Sequence, residues 1–398
     1  MDSHEINLSN QLYTGCTLCP RNCRIDRRTA LGVCRCSDIL RAARAGLHYY
    51  EEPFLSGTNG SGTVFFSGCS LGCIYCQNGQ ISFDNYGFDI SIERLAEIFL
   101  EQQARKAHNI NLVTGTHYTP SIACALEIAR ANGLTIPVVW NSSGYEKPDT
   151  LRLLDGLVDI FMPDFKTLSP ELGAKYMKAP DYPEWAQEAL ACMVEIAGDV
   201  IFEDCISDDS NSQTHDVSNS DLPHSDSEYM AIDKNSETYE GENVLMKRGV
   251  VVRHLMIPGQ LEDSKNVIRY LYETYGDKIW ISLMSQYTPV GIFADSQFVT
   301  SDVKVLTSEI TNVPVSDNAA ETHTYCSDKA TGENAGRTAI INSYRKTHPE
   351  LFHKVSRKEY DELVDYAIDI GVENCMIQED DVADDSFIPE FDGSGIQA

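Results

Sequence analysis

Thr63-Val64-Phe65-Phe66-Ser67-Gly68-Cys69-Ser70-Leu71-Gly72-Cys73-Ile74-Tyr75-Cys76 sets a short β-prone run directly before three closely spaced cysteines. Their spacing is C-x3-C-x2-C. Soft thiolates suit iron–sulfur clusters, zinc or Cu(I). Three of them on so short a loop can converge on one cubane, and Gly68 and Gly72 let the backbone fold tightly around it. A fourth cysteine would close the metal off, whereas three ligands leave one position open for a small molecule. From spacing alone, a zinc knuckle borrowing a fourth ligand stays open, and so do three buried thiols.

Outward from this loop, short strands alternate with amphipathic helices. Ile92, Leu95, Ala96, Phe99 and Leu100 fall on one face of a helix near Ser91 to Ala107. Thr119-Pro120 reads as an N-cap with a first-turn proline, with Ile122, Ala125, Leu126 and Ala129 on one face behind it. Strand-like runs follow at Ile110 to Thr114, Thr135 to Trp140, Leu157 to Met162, Gly249 to Ile257 and Lys278 to Met284. Repeated β–α units imply a parallel sheet with right-handed crossovers. Six such strands predict a partial (β/α)6 barrel, with a flat doubly wound sheet as the competing fold. Either way, ligands are expected at the carboxyl ends of the strands.

The 398 residues divide by composition. Residues 1–60 are a Cys-rich N-terminal extension, 61–290 the α/β core, 291–340 a polar insertion, and 341–398 a helical segment with an acidic tail. In that last segment Ser356 and Glu359 form a capping box for a helix. The net charge of −29 argues against nucleic acid as the main ligand. Much of the charge is local: Glu203 to Asn243 holds 12 acidic residues against one Lys, and the tail after Gln378 holds seven and no basic residue. The first of these is expected to be a weakly ordered insertion, and both are expected to serve solubility. No apolar run approaches the roughly 18 residues of a membrane span. The polar Met1 to Asn10 lacks the order of a signal peptide, so a cytoplasmic protein without a membrane partner is expected.

Eight of the 13 cysteines lie within the first 76 residues. With no secretory leader, they read as metal thiolates and buried thiols and not as a disulfide framework. Cys16, Cys19, Cys23 and Cys34 form a second candidate site for zinc or an iron–sulfur cluster, with Cys36 a spare.

C-x3-C-x2-C with an aromatic before the last Cys, after the first strand of a β–α array, resembles the radical S-adenosylmethionine (SAM) superfamily. The surroundings are similar to one branch, relatives of the pyruvate formate-lyase activating enzyme. The matching segments include Cys19-Pro20-Arg21-Asn22-Cys23, Glu51-Glu52-Pro53, Met162-Pro163-Asp164-Phe165-Lys166, Val252-Arg253-His254-Leu255 and Met284-Ser285-Gln286-Tyr287. The resemblance implies that Cys69, Cys73 and Cys76 hold a [4Fe–4S] cluster whose fourth iron takes SAM. It implies reductive SAM cleavage and abstraction of a substrate hydrogen atom, an oxidoreductase reaction. It places Tyr75 near adenine, and Thr114, Asn141, Ser143, Asp164 and Lys166 at strand ends that hold SAM. Many members carry Gly-Gly-Glu after the second strand, where this chain has Thr114-Gly115-Thr116-His117. Arg253 and His254, adjacent on one strand, point to opposite faces, with Arg253 favoured for SAM and Gln286 and Tyr287 for the substrate side. A flavodoxin or ferredoxin as one-electron donor and a glycyl radical protein as substrate are the expected partners. The competing function is a non-catalytic zinc or iron–sulfur adaptor.

Overall fold

The computed structural model describes residues 11–204, 229–232, 244–293, 341–378 and 389–396. Eleven strands form one sheet: β1 Arg41–His48, β2 Ser61–Phe66, β3 Phe88–Asp89, β4 Ile110–Val113, β5 Val138–Ser142, β6 Ile160–Pro163, β7 Ile201–Asp204, β8 Tyr229–Ile232, β9 Val244–Leu255, β10 Trp280–Met284 and β11 Cys375–Gln378. The order is β3-β1-β2-β4-β5-β6-β9-β10-β11-β8, with β7 on β9. From β2 to β11 every neighbour is parallel. This run never reverses direction along the sheet. A doubly wound sheet would reverse at a switch point. One-way winding with right-handed crossovers keeps the helices on one face, so the other face becomes the interior of a partial barrel. The end strands β3 and β8 do not pair, and the sheet stays open.

The main helices are α1 Ile92–Ala104, α2 Thr119–Ala131, α3 Pro170–Met177, α4 Tyr182–Ala197, α5 Leu261–Tyr275 and α6 Arg357–Ile370. The Ser91 hydroxyl caps α1 by accepting the Arg94 amide. Leu95, Ala96, Ile98 and Phe99 then turn onto the sheet and are fully buried. Burial of each large side chain there contributes about 1.5–3 kcal/mol. Alternate strand residues face outward to meet them, among them Val64, Phe66, Leu112, Trp140, Phe161 and Val252. Their neighbours Val139, Ile160, Met162 and Val251 face inward and form a separate interior cluster with Phe54 and Leu55.

All six expected strands are present, with shifted ends. β5 starts at Val138 because Pro137 has no N–H to give the ladder, although its carbonyl accepts from Ile110. β9 begins five residues before Gly249. Its first half pairs antiparallel with β7, and its second half enters the parallel sheet. Thr119 is the first residue of α2 and not its cap, and its hydroxyl donates to the Thr116 carbonyl of the preceding turn. The Ser356–Glu359 capping box of α6 forms as expected. Five contributions to the sheet were not legible: β1 from the N-terminal extension, the two-residue β3, β7 at the start of the acidic insertion, β8 from within it, and β11 from the C-terminal segment. The rest of that insertion, the segment 294–340 and residues 379–388 lie outside the described residues. Among the described residues no helix is long and apolar enough to cross a membrane.

Candidate functional site

The loop after β2 carries the three cysteines to the carboxyl end of the sheet. Gly68 and Gly72 take φ of 83° and 67°, which a side chain would resist. Space forbids one at Gly68 as well, since a Cβ there would stand 2.2 Å from Cys36 Sγ. Cys73 is buried, whereas Cys69 and Cys76 are half-buried. Cys76 Sγ lies 3.3 Å from Ser82 Oγ, and the Ile74 amide donates to the Tyr176 carbonyl at 3.0 Å. Tyr75 is buried edge-on against Tyr176 and Tyr287. Burial pushes the Cys73 thiol up to about 12, with Lys166 opposing the rise. A bound cation would favour its thiolate.

The three cysteines share one cavity with each expected SAM contact: Tyr75, Thr114, Asn141, Ser143, Asp164, Lys166 and Arg253. Gln286 and Tyr287 line it too. Thr114 takes φ 61°, strained for a β-branched residue, and its amide donates to the Asn141 carbonyl across the strand ends. Lys166 Nζ pairs with Asp164 Oδ2 at 2.8 Å. Burial works against the ammonium, but Asp164, Cys73 and Tyr75 outweigh it and hold its pKa well above the usual value. Tyr182 ties the two turns together. Its hydroxyl accepts the Lys166 amide and lies 3.0 Å from the carbonyls of Ser143 and Asp164.

Arg253 and His254 do face opposite ways. His254 is buried on the helix side with Nδ1 2.7 Å from the Phe165 carbonyl. Arg253 reaches inward and is gripped by two carboxylates. Its Nε and Nη2 donate to Glu52 at 2.8 and 2.6 Å, and Nη2 also contacts Glu51. Asn111 donates to Glu51 in turn at 2.8 Å. The guanidinium assigned to SAM is therefore already paired with two carboxylates beside the cavity.

Two features went unrecognised in the sequence. Glu51 and Glu52 carried no signal beyond the matched motif, because their partner is some 200 residues away. Glu146 is fully buried and fastens two strand-end turns. It accepts from Thr116 Oγ1 at 2.8 Å, from Trp140 Nε1 at 3.0 Å and from Ser142 Oγ. Its position four residues after Ser142 gave no hint of the Thr116 contact. The tail also matters: Pro389 lines the cavity, and Phe391 packs on Phe65. Cys16, Cys19, Cys23 and Cys34 do not line this cavity. Among the described residues no three His, Cys, Asp or Glu side chains stand close enough to hold a single ion. A cubane asks something else of its ligands, since each thiolate takes its own iron. Three thiolates facing one cavity, with polar strand-end groups opposite, fit such a cluster and an amino-acid-bearing ligand.

A one-way parallel barrel with a three-thiolate loop on its first strand defines a class of cluster-bearing enzymes. Residues 63–204 match the profile of the radical SAM superfamily. The cofactors of that superfamily are a [4Fe–4S] cluster and SAM. An uncharacterized protein of Methanocaldococcus jannaschii, MJ0674, is 30% identical over 185 residues, covering 45% of this chain and 53% of that protein. The chain thus spans about half the length of the curated relative it matches.

Proposed function

We propose that this chain cleaves SAM reductively on a [4Fe–4S] cluster held by Cys69, Cys73 and Cys76 and removes a hydrogen atom from a substrate. The observation that carries the reading is the shared cavity, where three thiolates face Asn141, Asp164 and Lys166 from neighbouring strand ends. Bound there, the cluster supplies the single electron that splits the sulfonium of SAM. The chain's own residues bind and orient. Lys166, charged and paired with Asp164, offers its remaining donors to a carboxylate. Asn141 and Ser143 present amide and hydroxyl groups to a ribose or an amino group. Tyr75, backed by Tyr176, and Tyr287 wall the site with apolar ring surface and exclude water.

The partner reading follows the same chemistry. A flavodoxin or ferredoxin in the cytoplasm would supply the electron, and a glycyl radical protein is the favoured substrate. The likeness of the motif-bearing strand ends to activating enzymes supports this choice, although fold analogy alone does not identify a substrate.

Anaerobic reconstitution tests the reading. The reduced protein should release 5′-deoxyadenosine from SAM, and Cys→Ala changes at 69, 73 and 76 should abolish the release. Cluster-loaded, dithionite-reduced protein that releases none would sink the catalytic reading. For the substrate, incubation with a glycyl radical protein should give that protein's radical signal in paramagnetic resonance. A silent spectrum alongside continued SAM cleavage would reject the activase role alone.

A further inference from the structure

Residues 16–40 are built inside out. Leu31, Val33 and Ile39 are 63%, 56% and 53% exposed, while Cys16, Cys19, Cys34, Cys36 and Arg27 are buried. A small apolar cluster of Tyr13, Cys16 and Leu18 supports the start of the segment, and Cys34, Cys36 and Leu40 join the main core at its end. A stretch whose buried side chains are mostly thiols, with aliphatics outside, gains little from the hydrophobic effect, and small units of this kind need a staple. The backbone nevertheless folds tightly. The Cys16 amide donates to Ile25 and the Arg24 amide to Cys16, both at 2.8 Å, which closes a knuckle. The Val33 amide points at Cys23 Sγ from 3.4 Å and brings the second half of the segment onto the first. A Cβ on Gly32 would touch Cys34 Sγ at 3.0 Å and Cys23 Sγ at 3.8 Å, so these two sulfurs flank one small residue. Cys19 lies within electrostatic reach of Cys16, Cys23 and Cys34. Arg24 and Arg35 adopt left-handed backbone that side chains resist, as does Asn22 less severely, and something must offset that strain.

A second observation points to negative charge at this place. Arg27 is 1% exposed, and its guanidinium bonds only to the carbonyls of Cys36, Ser37 and His117. The rings of Tyr13 and Tyr118 flank it at 4.9 and 5.6 Å. No described carboxylate pairs with it. A buried cation without an anion is costly. Four thiolates on an iron–sulfur cubane carry a net negative charge and would supply the anion.

We propose that Cys16, Cys19, Cys23 and Cys34 form a second metal centre, a four-thiolate iron–sulfur cluster in which each thiolate takes its own iron, that holds the Cys69–Cys76 loop in position. The link to the loop is direct. Arg21, between Cys19 and Cys23, donates to the carbonyls of Ser70 and Leu71 at 2.9 Å and of Met177 and Lys178 at 2.8 and 2.7 Å. From the other side, Cys36 Sγ sits 3.3 Å from the Ser67 carbonyl and packs under Gly68. The site has no fourth position left open, so its role is to hold structure and not to bind SAM.

The test uses the full chain with Cys69, Cys73 and Cys76 changed to Ala, so its outcome does not depend on whether SAM is cleaved. After expression with iron and zinc both supplied and anaerobic purification, elemental analysis should find about four irons with sulfide per chain. One zinc per chain in their place would overturn the cluster assignment. Adding Cys19→Ala and Cys34→Ala should remove that metal. If those changes prevent folding, a chelator added to the triple variant should release the metal and expose four thiols to a thiol reagent. A folded triple variant with neither metal, or with these cysteines recovered as disulfides, would overturn the proposal. In the chain that retains Cys69, Cys73 and Cys76, Cys19→Ala with Cys34→Ala should cut iron retention at the loop several-fold. Unchanged retention would refute the positioning role.

Discussion

Glu146 offers the sharpest perturbation of the strand ends proposed to hold SAM. Its carboxylate is fully buried, has no described cation beside it, and takes three donors from two turns. Glu146→Ala strands all three. The indole N–H of Trp140 cannot rotate to another acceptor, and a buried unpaired donor of this kind costs about 1–3 kcal/mol. The hydroxyls of Thr116 and Ser142 can turn, at about 1 kcal/mol for each lost bond. Together the change should destabilise the fold by about 3–5 kcal/mol. It should also loosen the turn that presents Asn141 and Ser143. Glu146→Gln is the informative partner. Thr116 and Trp140 both bond to Oε1, which the amide keeps, and Ser142 Oγ can accept from the new NH2 where it formerly donated. The amide should therefore fold like the parent and bind SAM within about threefold, a change of under 1 kcal/mol. The alanine variant should lose at least about tenfold in affinity, or about 1.4 kcal/mol. Equilibrium dialysis with labelled SAM and denaturant unfolding read the two effects separately. An alanine variant with parental midpoint and parental SAM affinity would refute the reasoning. Acid titration adds a signed check. Burial raises the Glu146 pKa against the pull of its three hydrogen bonds. The native state thus holds its proton to higher pH than the unfolded chain, and stability is lost as pH rises through the native value. Glu146→Gln should lack that loss, seen as a stability difference that moves in the amide's favour with rising pH.

Three further outcomes are expected. Arg253→Ala leaves Glu51 and Glu52 buried without their cation and should cost about 3–5 kcal/mol in denaturant unfolding, whereas Arg253→Ala with Glu51→Gln and Glu52→Gln should recover much of it. Gly144→Ala places a Cβ 2.4 Å from the Asp164 carbonyl at a φ of 73°, so it should push the Asp164–Lys166 turn away and weaken SAM binding more than it lowers the melting temperature. His117 is buried with Nδ1 unpartnered, and burial, aided by Arg27, lowers its pKa to about 3. Stability from the neutral ring is full above its unfolded value near 6.5 and is lost as pH falls towards about 3. His117→Gln should flatten that limb of the pH–stability curve, by up to about 4–5 kcal/mol.

The parts of this protein that were legible are those where a local period decides the answer. Alternation along each β run separated the inward Arg253 from the outward His254 without any knowledge of the sheet. The three-cysteine loop was legible because its ligands lie within eight residues of one another. β11 was not, since Cys375–Gln378 is too short to show a pattern and is made a strand by pairing with β10. Glu51 and Glu52 were hidden for a related reason. Acidic neighbours before a proline look like a solvated turn until the fold delivers Arg253 to them. Glu146 sits between these cases, because its bonds to Trp140 and Ser142 are local but its bond to Thr116 exists only once β4 and β5 lie side by side.

The N-terminal extension shows why composition misleads about function here. Residues 1–60 looked like an appendage to the α/β core, yet they supply β1, the Glu51–Glu52 clamp on Arg253, and the Arg21 bonds to the backbone of the three-cysteine loop. The cavity is therefore shaped from both ends of the chain, since Pro389 also lines it and the Ser394 carbonyl accepts from Ala45 on β1. A fragment limited to residues 63–204 would lack Arg253, its two carboxylates and the support behind Gly68. It should fail to retain iron even though it contains all three loop cysteines. Retention of a full cluster by that fragment, measured as iron and sulfide per chain, would show that the loop organises itself and that the extension serves another end.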